Sequence, residues 1–477
     1  MKVKKKKALK TKSPKLTSSS TTKVSADQTH NQYRNILGSR YASPAMSAVF
    51  SERHRAEIWR DLWIILASEE QKLGLPISSA QVEALKKAKK DIDFDRIREI
   101  ETKLKHDVMS HLKAYAEKAK EAEPIMHLGA TSAFITDNAD ALLLKEGAVL
   151  ILQKLGVILE SLGSLMLTYK NLETTGFTHF QPAQPVTVGK RFALWAQDLL
   201  WDYEELEFAL QRLEPLGCKG TTGTQASFAV LFKNDFKKVK ALDDGVCKQM
   251  GFDRAVALSG QTLSRKVDVW FLQALANLGA SFSKMSYDMR LLQHLREVTE
   301  PFAEKQIGSS AMPYKQNPML AERITGLSRF LMGLSSNANW TFATQWLERS
   351  LDDSSNRRLT LPEAFLTADA LCESAHRLLK GVQVHKTEIK NRIDIYAAQF
   401  ETEALMMEGT LKGGSRQKIH EEIRQQMLKG KLNKKGIKYS LSGFASEQVQ
   451  DFHKNILSPF LKSRKKSKGV SFNAAAI

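Results

Sequence analysis

Apolar positions recur with a helical period almost throughout the chain. Ile58, Leu62, Ile65 and Leu66 mark one amphipathic helix in the first third. From Ala139 to about Tyr169 the pattern is long and strongly apolar, through Leu142, Leu143, Val149, Leu150, Leu152, Leu155 and Leu159. A second long stretch runs from Thr187 to Leu213, ended by Pro215 and Gly217, and a third from Val267 to Val298, ended near Pro301. A fourth helix is expected from Pro318, with Asn317 as its N-cap and proline at the first helical position. At 1.5 Å per residue, the longest of these reach about 45 Å. Helices this long and apolar on several faces need neighbours on several sides. An elongated bundle that associates with copies of itself meets that need. Strand-like runs are few and short, so the class is mainly α.

Beyond about Val384 the pattern breaks into shorter helices, Glu388–Phe400 and Gly414–Leu428, with charged surfaces. Three domains are expected, 26–131, 132–384 and 385–477, behind a disordered basic tail over 1–25. With 477 residues the chain is too long for one core. The uncharged run Phe330–Leu347 holds Asn337, Asn339 and Gln345, which are costly in lipid, so no membrane span is expected.

Charge changes the picture less than its size suggests. The net charge is +19, but residues 1–23 carry nine lysines and no acid, and Lys462–Lys468 adds five basic residues. These ends hold 14 of the 19 charges, so a nucleic-acid partner is not expected beyond weak contacts of the tail. The tail lacks the apolar core of a secretory signal. Three widely separated cysteines, Cys218, Cys247 and Cys372, fit a reducing compartment and make no disulfide framework. A cytoplasmic protein is the expectation. No CxxC, HExxH or Walker-type loop is present, so neither a metal nor a cofactor is expected.

Candidate chemistry concentrates in irregular segments. Gly308-Ser-Ser-Ala-Met-Pro-Tyr-Lys-Gln-Asn-Pro318 cannot be regular helix or strand. It feeds a helix start, where free N–H groups and Lys315 favour an anion. Thr178-His-Phe-Gln-Pro-Ala-Gln-Pro185 holds His179 on a proline-constrained loop just before a helix, and histidine titrates nearest neutral pH. Lys105-His-Asp107, Leu128-Gly-Ala-Thr-Ser132 and the arginine-rich Arg349–Arg358 are similar in kind.

The loop 308–318 resembles the signature loop of the fumarase/aspartase superfamily, whose members release fumarate from a substituted succinate. Ser39-Arg-Tyr-Ala-Ser-Pro44, His106-Asp-Val-Met109, Leu128–Ser132, Thr178–Gln184, Ser259-Gly-Gln-Thr262 and Glu348–Arg358 resemble it too, in the family's order across residues 35–360. The Ala-Met-Pro-Tyr-Lys version of the loop is similar to that of members acting on succinylated purine nucleotides. Tyr314 and the Arg349–Arg358 cluster disfavour an argininosuccinate-type substrate. Gln316 stands where arginine is usual, and Lys105 where arginine commonly precedes the His-Asp pair; lysine keeps the charge without the bidentate fork.

The resemblance implies a three-domain fold whose central long-helix bundle assembles into a homotetramer, with three subunits contributing to each site. It implies Ser309 as base, His179 as acid oriented by Glu322, and Lys315 and His106 among the catalytic set. Arg40, Tyr41, Arg349, Ser354 and Arg358 are implied at the phosphate and ribose, and Lys105, His106 and Asp107 near phosphate and base. Thr131, Ser132, Gln261 and Arg323 are implied as succinyl and purine contacts. Asn317, with Lys315 and the N–H groups near Pro318, is expected to donate to a carboxylate.

Overall fold

The computed structural model describes residue 31 and residues 33–466, apart from 433 and 437–439. The basic tail expected over 1–25 lies outside these residues, as does 467–477.

The first long helix, α1 (Glu52–Lys72), is capped by Ser51, whose side chain accepts from His54 N at 3.1 Å. It buries Ile58, Leu62 and Leu66, the stripe its periodicity marks. Three shorter helices follow, a ten-residue one over Ser79–Ala88 and then α2 (Phe94–Leu104) and α3 (Asp107–Lys118). Helix α4 (Ser132–Thr168) has 37 residues, about 55 Å of rod. A hairpin of β1 (Glu173–Thr178) and β2 (Gln181–Thr187) leads into α5 (Val188–Gln211). Helices α6 (Lys266–His294), α7 (Met319–Ala343) and α8 (Asp353–Lys380) complete the set of long rods. Helix α4 packs on α5 and α8, while α6 packs on α5, α7 and α8. Their shared core runs through Leu155, Leu159, Leu162, Phe192, Tyr203, Phe271, Phe282 and Phe365.

A second core joins α1, α3 and the first turns of α4 (Phe134, Ile135, Ala139). The segment from Cys218 to Ala255 returns to this core through Phe228, Leu242 and Cys247. Near the C-terminus, Val449, Leu457 and Leu461 pack back onto the long-helix core. All three cysteines are buried and unpaired. No helix among the described residues is long and apolar enough to cross a membrane.

Three local features differ from the pattern-based expectation. Helix α6 stops at His294 rather than near Val298, because Arg296 is left-handed (φ 58°) and a short strand, β3 (Val298–Thr299), pairs with β4 (Gln383–Val384). His179 sits on a hairpin turn rather than an irregular loop: Thr178 pairs with Gln181, and His179 and Phe180 both have positive φ (52° and 57°). That is the signature of a tight two-residue turn whose twist matches the strands. The prolines at 182 and 185 are tolerated in β2 because a two-stranded ribbon leaves outward N–H positions that need no partner. Helix α7 starts one residue later than expected, with Pro318 as N-cap and no side-chain cap.

The long rods keep apolar groups outside. Leu194, Trp201 and Phe208 lie seven residues apart on α5 and are 46%, 55% and 51% exposed. Phe330 and Trp340 stand out from α7 in the same way.

Candidate active site

Three helix starts meet at one cavity of about 1500 Å³. Helix α3 contributes Asp107, capped by His106; α4 contributes Ser132, preceded by Thr131; α8 contributes Asp353 and Ser354. A helix start carries the positive end of the helix dipole, which favours a negative ligand. Lys105, Arg349 and Arg358 add full positive charges to the lining. Lys105 is left-handed (φ 55°), closing α2 and turning the chain into α3. His106 Nδ1 accepts from Met109 N at 3.4 Å, so its proton belongs on Nε2, which faces Ser132 Oγ at 3.4 Å. Thr131 makes no side-chain cap bond, so its hydroxyl remains available.

Across the cavity, Arg349 Nη1 donates to Gln261 Oε1 at 2.8 Å, and Gln261 N donates to Glu348 O at 3.0 Å. A Cβ on Gly260 would lie 2.4 Å from Glu348 O, so glycine alone permits this approach. Arg358 pairs with Asp107, tying the two walls together. Nine of the expected residues, Lys105, His106, Asp107, Thr131, Ser132, Gln261, Arg349, Ser354 and Arg358, therefore line one space.

Two histidines that the motifs do not include also line it. Burial lowers His111 to about 4, and burial, with the nearby His106, lowers His127 to about 4. Both are neutral near pH 7. His127 Nδ1 accepts from the Trp63 indole at 3.1 Å, which leaves its Nε2 as the donor.

Beneath the cavity lies a buried ion network that motif reading missed. Arg265 reaches Asp137 at 2.9 Å and Asp353 at 2.6 Å, and Arg357 reaches Asp140 at 2.8 Å and Asp268 at 2.6 Å. Burial pushes the Asp137 carboxyl up, but Arg265, Arg357 and the N–H of Leu263 outweigh it, leaving the carboxyl below its ordinary value. For Asp140 burial wins, and its carboxyl is raised. Acids inside otherwise apolar helical stretches were the available signal, since a buried carboxylate requires a partner.

The remaining expected residues stand in separate groups. Tyr41 lies between two guanidinium groups, Arg40 at 5.8 Å and Arg323 at 5.6 Å from its ring centre. This segment is anchored by Ser43, whose N and Oγ both bond Asp369, itself paired with the fully buried Lys154 at 2.6 Å. His179 is exposed at the hairpin tip. The hairpin's base is fixed by buried Glu297, which accepts from Thr174 Oγ1 at 3.0 Å and pairs with Arg191 at 3.2 Å and Arg392 at 2.8 Å.

In the loop 308–318, Ser309 Oγ accepts from Ala311 N at 3.3 Å and Met312 N at 3.1 Å. Asn317, expected as an N-cap and a carboxylate donor, instead donates its side chain to Gly308 O at 2.8 Å. The N–H groups of Leu320 and Ala321, at the start of α7, are taken by Glu300 at 2.9 and 3.0 Å. Of the donors expected there, Lys315 Nζ alone has no hydrogen-bond partner among the described residues. No hydrogen bond joins Glu322 to His179, or His179 to Ser309, within the described chain.

Comparison with known proteins is consistent with this arrangement. A family model described as "Lyase" matches residues 39–333. The adenylosuccinate lyase of Saccharomyces cerevisiae is 44% identical over 400 residues, covering 83% of each chain. That of Schistosoma mansoni is 41% identical over 414 residues, covering 86% of each. Among solved structures, a 3-carboxy-cis,cis-muconate lactonizing enzyme from Pseudomonas putida superposes with a TM-score of 0.74 at 23% identity, over 92% of this chain and 96% of that one. A fumarate lyase from Mesorhizobium gives 0.72 at 20% identity, over 91% and 96%. The solved structures speak to the fold, and the sequence relatives narrow the branch: the chain belongs to the adenylosuccinate lyase family of the fumarase/aspartase superfamily.

Proposed function

We propose that the chain is a C–N lyase that releases fumarate from adenylosuccinate to leave AMP. On the same reading it cleaves the succinyl-carboxamide imidazole nucleotide SAICAR to AICAR. The observation that carries this is the cavity where three helix starts, Lys105, Arg349 and Arg358 surround room for a nucleotide. Arginine forks suit phosphate, and polar groups such as Gln261 suit a purine edge.

The reaction breaks a C–N bond beta to a carboxylate. A base takes a proton from the succinyl carbon, negative charge gathers on the adjacent carboxylate, and an acid protonates the leaving nitrogen. Ser309 is assigned as base, and His179 as acid with Glu322 orienting it. Lys315, with Asn317 once released from Gly308, stabilises the developing dianion. A serine base requires that the loop close and exclude water, because a hydroxyl rarely ionises in contact with it. Closure also has to free Ser309 Oγ from the N–H groups of Ala311 and Met312. His106, Asp107 and Lys105 are assigned to the phosphate and base, Thr131, Ser132, Gln261 and Arg323 to the succinyl and purine groups, and Arg40, Tyr41, Arg349, Ser354 and Arg358 to the phosphate and ribose.

The separation of the cavity, the Arg40–Tyr41 group, the loop and the hairpin tip within one chain supports a homotetramer with shared sites. The exposed Leu194, Trp201 and Phe208 stripe on α5 supplies an apolar face for such assembly. We assign the enzyme to the cytoplasm, and the three domains to 26–131, 132–384 and 385–477.

Loss of adenylosuccinate absorbance on mixing with the protein tests the activity directly. Ser309→Ala and His179→Ala are each expected to abolish release while leaving assembly intact. Either variant retaining more than about 5% of kcat would remove its residue from the assigned role.

A further inference from the structure

Among the described residues, the hydrogen bonds that fasten the loop from Gly308 to Gln316 lie at its neck. Asn317 Nδ2 donates to Gly308 O at 2.8 Å, and Gln293 Nε2 donates to Gln316 O at 3.0 Å. A Cβ on Gly308 would stand 2.2 Å from Lys315 O, so the two sides of the neck touch backbone to backbone. Between them, the hydrogen bonds of Ser309–Lys315 stay inside the loop among the described residues: Ser309 Oγ serves Ala311 and Met312, and Lys315 N donates to Met312 O. The loop thus has a free head on a pinched base.

The base is held by Glu300. Its two carboxylate oxygens accept from Leu320 N and Ala321 N, one each, at 2.9 and 3.0 Å. Its own N–H donates to Gln293 Oε1 at 3.2 Å. Gln293 therefore bonds Glu300 with its oxygen and the loop's exit with its nitrogen. A carboxylate that uses both oxygens on successive N–H groups fixes the rotation of the first helical turn as well as its position. That turn carries Glu322 and Arg323. Glu300 is itself 3% exposed. It follows the short strand β3, which Glu297 ties to Arg191 and Arg392, so its place is set by the core and not by the loop. Burial raises the Glu300 carboxyl, opposed by the N–H donors of Leu320 and Ala321.

We infer that Glu300, with Gln293, is a positioning residue for the loop. It holds the loop's exit at Gln316 and the first turn of α7 still while Ser309–Lys315 move and Asn317 parts from Gly308, and so determines where the closed loop delivers Ser309 and Lys315. The inference rests on the roles assigned to those two residues under the proposed function. Glu300→Gln keeps the shape but sets an N–H₂ against a backbone N–H. Glu300→Asp keeps both oxygens but is one methylene too short to reach both donors.

The test uses the full-length chain. Wild type and Ser309→Ala are assayed first with adenylosuccinate, which decides the functional reading on its own. Glu300→Gln is then expected to lower kcat about tenfold or more with KM changed by less than about threefold, because a misplaced catalytic loop costs turnover before binding. Glu300→Asp is expected to recover part of that loss. Protease cleavage within 309–316 and hydrogen exchange at Leu320 and Ala321 are each expected to rise about fivefold or more in Glu300→Gln.

A kcat within twofold of wild type per intact assembly overturns the inference, as does a loss that only follows the fraction of folded protein. If wild type proves inactive on the nucleotide, the proposed function fails, and unchanged cleavage and exchange in Glu300→Gln then overturn the positioning role by themselves. Should Glu300→Gln not fold, Gln293→Leu, which releases only the loop's exit, is expected to give about a threefold loss of kcat with faster loop cleavage. Neither change appearing in that variant also overturns the inference.

Discussion

The floor of the cavity and the loop 308–318 are both polar and both belong to the proposed site, yet they are built on opposite terms. In the floor, Arg265 and Arg357 each meet two carboxylates contributed by α4, α6 and α8, in a largely buried network. In the loop, Ser309 Oγ serves only its own neighbours, and Lys315 Nζ has no acceptor among the described residues. Buried charges persist only when their partners are complete, so the floor cannot shift without a large cost. Side chains bonded within an exposed loop can depart at little cost. The contrast teaches a division of labour: the floor fixes where the long helices stand, and the loop brings reactive groups to them.

The strongest way to break the comparison is Asp137→Asn. It leaves Arg265 with Asp353 alone, and the expected loss of stability is about 3–5 kcal/mol, read as a lowered denaturant midpoint. Ser309→Ala, by contrast, is expected to stay within about 0.5 kcal/mol of wild type while losing turnover. Because the folded Asp137 carboxyl lies below its ordinary 3.8, its contribution is present above that value and is lost as pH falls through the depressed one. An Asp137→Asn protein as stable as wild type at pH 7 would show that the floor does not hold the helices.

Glu70 sharpens the comparison from the other side. It is fully buried in the N-terminal core, both its carboxylate oxygens lack a hydrogen-bond partner among the described residues, and burial pushes it up to about 9. Its folded value lies above the ordinary 4.5, so the fold prefers the protonated form. Stability from this group is full below pH 4.5 and declines as pH rises toward 9. Glu70→Gln is therefore expected to stabilise the protein by about 1–3 kcal/mol at pH 8. The gain should vanish near pH 4. Thermal midpoints of both proteins at the two values check this, and no gain at pH 8 would mean that the carboxyl has found a partner.

The rods α4 to α7 were legible because a 3.6-residue apolar period persists over many turns, as in the Leu142–Leu159 run of α4, whereas α8 was not anticipated. The cavity residues were legible through segments that resemble the family's motifs, at His106–Met109, Leu128–Ser132, Ser259–Thr262 and Glu348–Arg358; of the three helix starts, the polar turn before α4 alone was marked by local pattern. The hairpin was harder to see. Its prolines argue against strands, and its turn relies on left-handed His179 and Phe180 rather than on glycine or asparagine. The start of α7 depends on Glu300, which lies 20 residues before Leu320 and outside any local capping pattern. The ion floor is likewise non-local: Arg357 meets Asp140 across 217 positions. Such pairings depend on how the rods pack, which a single stretch of sequence does not carry.

The scattering of the site groups along one chain has a consequence for mixtures. If each site takes its hairpin tip from one copy and its loop from another, a defect in Ser309 and a defect in His179 spoil different halves of a site. Two inactive proteins, each carrying one of those alanine substitutions, would then restore one another. Random reassembly of equal amounts would leave about one quarter of the sites with both residues intact. Activity near that fraction would appear after joint unfolding and refolding, and none if a single copy supplies both groups. For a cell holding one normal and one defective copy of the gene, the same geometry spreads the damage across assemblies instead of confining it to the defective chains.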